Sequence, residues 1–169
     1  DVGSLSWDKQ VWEEREEMLR MDKKIREKFS WPMADGNDCQ PWAIEEEKPN
    51  KFPYVKFVIQ SEVEAECSLA FEEATEIEWN GEAVNVRPDG YFVDKAIKTT
   101  ALPRLKKGEN VLIVRMPISK RVSMENLFLL GNFGVSVDGT CAKITKLPEK
   151  IAFGNITEQG FPFYGGEIT

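Results

Sequence analysis

Residues 77–84 of this 169-residue chain read IEWNGEAV and decide its fold. Apolar Ile77 and Trp79 alternate with acidic residues, and the pair Asn80-Gly81 follows them. Both residues of that pair tolerate the positive φ angles of a type I′ turn, so the stretch predicts a β-hairpin. The same alternation runs through VEAECSLAF (63–71), which predicts a half-buried strand, with a turn at EEAT (72–75).

Further short strands follow this hairpin. VLIVRM (111–116) and NLFLL (126–130) are apolar on both faces, which is typical of strands covered on both sides. Residues 94–105 lack a period of two and predict a loop with a short helical turn. Many short strands without βαβ alternation indicate an antiparallel β-sandwich. The shorter candidates are VSV (135–137), CAKI (141–144), IAF (151–153) and EIT (167–169).

The first third of the chain has a different pattern. Residues 8–30 carry an apolar stripe at helical spacing and predict one N-terminal helix, with Asp22 four residues before Arg26 as a favourable pair. Residues 32–53 are rich in proline and turn residues and predict an irregular connector. We therefore divide the chain into an N-terminal helix and connector (1–52) and a β-sandwich domain (53–169). The stripe consists of Val11, Met18, Met21, Ile25 and Phe29.

The composition excludes several classes of function. A formal net charge of -7 argues against a nucleic-acid partner, because phosphate backbones require clustered Lys and Arg. No apolar run approaches the ~20 residues of a membrane span. The first ten residues lack the pattern of a signal peptide and an initiator Met, so we expect a fragment of a longer polypeptide. Its compartment, cytoplasmic or secreted, stays open.

The chain contains no histidine, which removes His-based triads, general bases and metal ligands. Three cysteines without CxxC spacing favour neither a disulfide framework nor a zinc site. Glu76 and Glu78 project from one strand face, whereas a glycosidase needs two carboxylates across a cleft. We expect a solvated face there and no catalytic residue in this chain.

Three ordered motifs give the chain a family resemblance. Trp79-Asn80-Gly81 comes first, then Gly90-Tyr91-Phe92-Val93-Asp94, then LKKGEN (105–110) before an apolar strand. In this order they resemble the sugar-binding domain of family 2 glycoside hydrolases, over about residues 53–169. The resemblance implies a galactose-binding-like jelly roll that flanks a catalytic domain in a large bacterial enzyme.

Loop residues are the candidates for a sugar site. Trp42, Tyr91, Phe163 and Tyr164 could stack on a sugar ring, and Asp89 lies beside Tyr91 as a polar partner. Each aromatic could equally seal an end of the sandwich. Folds of this type often hold calcium, yet the turns around Asp89, Asp94 and Asp138 match no calcium motif, and we assign no cofactor.

The sequence thus predicts a non-catalytic accessory module of a larger glycoside hydrolase. Its partners would be the catalytic domain of the same polypeptide and a poly- or oligosaccharide. One alternative is a purely structural scaffold without a ligand. Another is a self-contained enzyme whose two carboxylates face each other in a groove.

Overall fold

The computed structural model describes residues 2–32, 47–124, 127–139 and 141–165. They form a larger and a smaller β-sheet, the helix α1 (Met18–Phe29) and a short 3-10 helix (Ile156–Gln159). The larger sheet contains β1 (Val2–Ser6), β2 (Glu16–Glu17), β3 (Tyr54–Ser61), β5 (Glu76–Trp79), β6 (Glu82–Val84), β9 (Gly108–Arg115), β11 (Gly134–Asp138) and β12 (Cys141–Thr145). The smaller sheet contains β4 (Ala65–Phe71), β7 (Gly90–Phe92), β8 (Asp94–Leu105) and β10 (Phe128–Gly131).

The sheets are antiparallel apart from one pair. The larger sheet has the order β11-β12-β3-β9-β5-β6, and β1 also pairs with β3. The parallel pair is β12 with β3. The smaller sheet has the order β10-β4-β8-β7. This architecture confirms a mainly β protein.

One core lies between the inner faces of the two sheets. The alternation of β4 directs Cys67, Leu69 and Phe71 inward, as the sequence predicts. Trp79 of β5 is 1% exposed and belongs to the same core. The indole therefore packs inside the protein, on the same face of β5 as Ile77, as the alternation in IEWNGEAV predicts.

The predicted hairpin is present. Strands β5 and β6 pair through Trp79 and Glu82 across the Asn80-Gly81 turn. Asn80 has φ 52° and Gly81 has φ 85°. Both angles are positive, as a type I′ turn requires, so this turn follows from the sequence alone.

The prediction for residues 94–105 is wrong. They form the twelve-residue strand β8, which pairs with β4 on one side and β7 on the other. Thr100 and Leu102 face the core, while the outward positions hold small residues such as Thr99 and Ala101. Small or polar residues lie on both faces of β8, so its sequence shows no regular alternation of apolar and polar residues. Its pairing with β4 and β7 makes it a strand instead.

Two apolar stretches also differ from expectation. Strand β9 is central as predicted, but its outward residues Val111 and Ile113 are only half-buried. Strand β10 lies at an edge of the smaller sheet, not between covering layers. IAF (151–153) forms no strand, and EIT (167–169) lies outside the described residues.

The N-terminal segment is not one helix from residue 8. The helix α1 begins at Met18, and Val2–Ser6 form β1 instead. Asp8 accepts hydrogen bonds from the N–H groups of Gln10 and Val11, and this local turn competes with a helix. Because β1 pairs with β3, residues on both sides of the predicted boundary at residue 52 contribute to one sheet.

The segment between β1 and α1 lies on the outer face of the larger sheet. The Nζ of Lys9 lies 4.9 Å from the ring centre of Tyr54 in β3. Trp12 contacts the ammonium of Lys56 in the same strand, at 4.3 Å from ring centre to Nζ. The segment therefore covers part of the outer face of the larger sheet.

Candidate binding site

The carboxylate of Asp89 is used by its own sheet. Its Oδ1 accepts from the hydroxyl of Thr99 at 2.7 Å, and its Oδ2 accepts from the N–H of Ala101 at 3.0 Å. Asp89 therefore caps the open edge of β8 just before β7 begins. These two hydrogen bonds give Asp89 a structural role in the smaller sheet. They also place its carboxylate beside any ligand that binds over Thr99 and Ala101.

The predicted aromatic candidates do not share one site. Tyr91 is 60% exposed on β7, at one lateral edge of the sandwich. Tyr164 is 41% exposed and follows Gly160, whose carbonyl accepts from the N–H of Val135 in β11, an edge strand of the other sheet. Phe163 is 80% exposed beside Tyr164. Trp42 lies outside the described residues.

A shallow trough of about 460 Å³ crosses the outer face of the smaller sheet. The register aligns Leu130, Ser68 and Ala101 in one row across three strands. The next row aligns Phe128, Ala70, Thr99 and Gly90. The trough is lined by Glu66, Cys67, Ser68, Thr99, Ala101, Leu102, Leu130 and Gly131.

Larger side chains stand at both ends of this trough. At one end the rings of Phe92 and Phe128 lie 5.5 Å apart. Ala70, the cross-strand neighbour of Phe128, is fully buried although its register places it on this outer face. At the other end Arg104 and Glu66 approach to 3.6 Å. The rows of Ala70 and Glu66 are about 13 Å apart along β4.

The trough combines an apolar floor with hydroxyl groups. Ala101 and Leu130 offer the flat apolar contact that a sugar ring can cover. Ser68 is half-buried, and within the described part of the chain its hydroxyl has no protein partner. Thr99 donates to Asp89 and keeps its acceptor lone pairs. A polyhydroxylated ligand can bond these groups without displacing a strand.

The sequence did not reveal this trough because it depends on register between strands. Residues 68, 99, 101 and 130 are distant in sequence, and the strand β8 that carries two of them was not predicted. The signal that could have found them is the series of small residues TTA (99–101) beside the Gly90 motif. Small side chains on adjacent strands leave room above a sheet.

The paired carboxylates of β5 do not form a hydrolytic cleft. Glu76 accepts from Arg115 at 2.6 Å and from the Tyr54 hydroxyl at 3.2 Å. Glu78 accepts from Lys9 at 2.8 Å. The Arg115 hydrogen bond lowers the pKa of Glu76, and the Glu78 hydrogen bond raises the pKa of Lys9. Glu76 is exposed and Glu78 partly exposed, in agreement with a solvated face, and each carboxylate also pairs with a cation.

The described cysteines offer no redox or metal chemistry together. Cys67 is buried, and loss of solvent raises the pKa of its thiol to about 11. Cys141 is exposed on β12 of the other sheet. Among residues 2–32, 47–124, 127–139 and 141–165, no group of three His, Cys, Asp or Glu side chains is arranged to hold a metal ion.

In the part of the chain that the structure describes, no helix has the length and apolar character to cross a membrane. Comparison with known proteins gives no match to a family model, a curated protein or a solved structure.

Proposed function

We propose that this chain is a non-catalytic accessory module of a larger glycoside hydrolase and binds carbohydrate on the outer face of its smaller sheet. The proposed fold is a galactose-binding-like jelly roll, as the sequence resemblance implies. The observation that carries the proposal is the trough over Ser68, Thr99 and Ala101, which combines an apolar floor with hydroxyl groups. Sites for sugars need this combination of apolar contact and converging polar groups.

The absence of a catalytic role is part of the same proposal. Hydrolysis of a glycosidic bond requires one carboxyl group whose pKa is raised and a second carboxylate facing it. On β5 the pKa of Glu76 is instead lowered by Arg115. The catalytic acids would then belong to another domain of the same polypeptide.

A scaffold without a ligand is the second candidate, and the C-terminal segment favours it. Ile151, Phe153 and Phe163 are 52%, 110% and 80% exposed, respectively. Large apolar side chains exposed in one segment of a chain can mark a contact with another protein surface. The catalytic domain of the same polypeptide would be that surface.

A glycan screen that includes a variant with a filled trough distinguishes carbohydrate binding from a scaffold role. We expect the wild-type chain to bind at least one oligosaccharide in calorimetry, and we expect Ala101→Trp to abolish binding because the indole fills the trough. Ala142→Trp is the matched control, since Ala142 is exposed on β12 of the other sheet. Tyr91→Ala and Tyr164→Ala test separately whether either of these aromatic side chains binds the sugar.

Binding of no glycan by the wild-type chain would favour the scaffold. Loss of binding in Tyr91→Ala or Tyr164→Ala, with Ala101→Trp unaffected, would move the site to the loops. Circular dichroism of every variant checks that the sheets remain folded.

A further inference from the structure

We infer that the trough accepts uncharged glycans and discriminates against acidic ones, an inference that rests on the proposed carbohydrate-binding function. Carboxylates at the rim of the trough are the reason. Glu66 lines it directly and is an exposed carboxylate. Asp89 bonds Thr99 and Ala101, two residues of the floor, so its carboxylate also lies beside the ligand position.

Two cations of β8, Lys98 and Arg104, are engaged by other groups. Arg104 approaches Glu66 at 3.6 Å and Glu64 at 3.8 Å, so its guanidinium is shared between two carboxylates. The ammonium of Lys98 bonds the carbonyl of Glu72 and approaches Glu73 at 3.6 Å. Lys98 is the cross-strand neighbour of Phe71, whose side chain faces the core. Lys98 therefore lies on the inner face of the smaller sheet, whereas the trough lies on the outer face.

The lining of the trough therefore contains the carboxylate of Glu66 and neither Lys nor Arg. A uronate or sulfate group bound there would lie against Glu66, with Asp89 beside the floor. Like charges brought together at a binding surface weaken binding, and they weaken it most at low ionic strength. A neutral sugar meets no such repulsion, because its hydroxyl groups can donate to the Glu66 carboxylate and to the Thr99 oxygen and can accept from Ser68.

The experiment compares matched pairs of glycans in calorimetry at low salt. Gluco-, galacto- and manno-oligosaccharides are each paired with the uronate oligosaccharide of the same linkage and length. For every pair with measurable binding, we expect the neutral member to bind at least tenfold tighter than the uronate. The gap should narrow at high salt, since salt screens the repulsion.

The variant Glu66→Gln isolates the local effect from the net charge of the protein. It should narrow the neutral-to-uronate ratio by several-fold, whereas Glu27→Gln should leave the ratio unchanged. Glu27 is exposed on α1, far in sequence from the trough, and its replacement alters the net charge equally.

Each outcome is decisive for one of the two proposals. Uronates that bind as tightly as their neutral partners, or tighter, overturn this inference and leave carbohydrate binding intact. Equal effects of Glu66→Gln and Glu27→Gln overturn the local origin of the discrimination. Absence of binding to every glycan overturns the proposed function, and the inference falls with it.

Discussion

The side chains of Asn80 and Asn110 are joined by a hydrogen bond, with Asn80 Nδ2 donating to Asn110 Oδ1 at 3.1 Å. Asn80 belongs to the Asn-Gly turn, and Asn110 closes the LKKGEN motif. The Oδ1 of Asn80 also accepts from the N–H of Val111 at 2.8 Å. Two motifs that the sequence offers as separate signals are therefore one hydrogen-bonded unit that joins β5 to the start of β9.

The first prediction concerns this unit. Asn110 is fully buried, and its side chain also bonds both the N–H and the carbonyl of Lys106. Asn110→Ala leaves the partly buried polar groups of Lys106 and Asn80 without their partner, and we expect the free energy of unfolding to fall by about 2–3 kcal/mol. Chemical denaturation measures the loss. Asn85→Ala, at an exposed position, should stay within about 0.5 kcal/mol of wild type. Equal stability of the two variants would contradict the structural role of Asn110.

The second prediction concerns the buried ion pair of α1. Arg26 Nε donates to Asp22 at 2.6 Å, and the guanidinium also bonds Ser123 at 2.8 Å. Asp22 in turn accepts from the N–H of Met124 at 3.0 Å. Arg26→Met leaves a buried carboxylate without its cation, and we expect denaturation to show a loss of about 3–5 kcal/mol.

A double variant and a surface control complete that test. Asp22→Asn combined with Arg26→Met should recover part of the lost stability, because no unpaired charge remains. Arg20→Ala disrupts only the exposed contact with Glu17 and should cost no more than about 1 kcal/mol. A loss in Arg20→Ala as large as that in Arg26→Met would argue against burial as the cause.

The third prediction concerns thiol reactivity. With a pKa of about 11, Cys67 is only about 0.1% thiolate at pH 8, and it is buried as well. Iodoacetamide should therefore label Cys141 in the native protein and label Cys67 only after denaturation. Peptide mass spectrometry in a Cys39→Ser background reads the two sites separately. Rapid labelling of Cys67 in the native protein would mean that the sheets open locally.

The fourth prediction concerns acid stability. The pKa of Glu76 is lowered in the folded protein, chiefly by Arg115. The ionised Glu76 therefore stabilises the folded protein fully at a pH above the ordinary glutamate pKa. This stabilisation is lost as the pH falls through the pKa of Glu76 in the folded protein. At pH 7, Glu76→Gln should reduce stability by no more than about 1 kcal/mol, because the pair is exposed. Denaturation at decreasing pH should show that difference shrink. A stability difference that grows as the pH falls would contradict this prediction. Glu82→Gln is the control.

The sequence predicts local structure here better than it predicts surfaces. The hairpin at Asn80-Gly81 and the inward phase of Trp79 follow from turn chemistry and alternation, and the structure confirms both. The helix start at residue 8 fails because Asp8 forms a local turn and β1 joins β3. Strand β8 is missed because its residues have no apolar period. The trough over Ser68 and Ala101 depends on the register of three strands, which no single stretch of sequence contains.

Mapping where a glycan binds is the most direct test of a carbohydrate site on the smaller sheet. Backbone amide shifts of the ¹⁵N-labelled chain would be followed by NMR while a neutral oligosaccharide from the screen is added. We predict saturable shifts for Ser68, Thr99, Ala101 and Leu130, and unchanged shifts for Ala142 and its neighbours on β12. Shifts confined to the segment around Tyr164, or no saturable shift at all, would contradict a carbohydrate site on the smaller sheet.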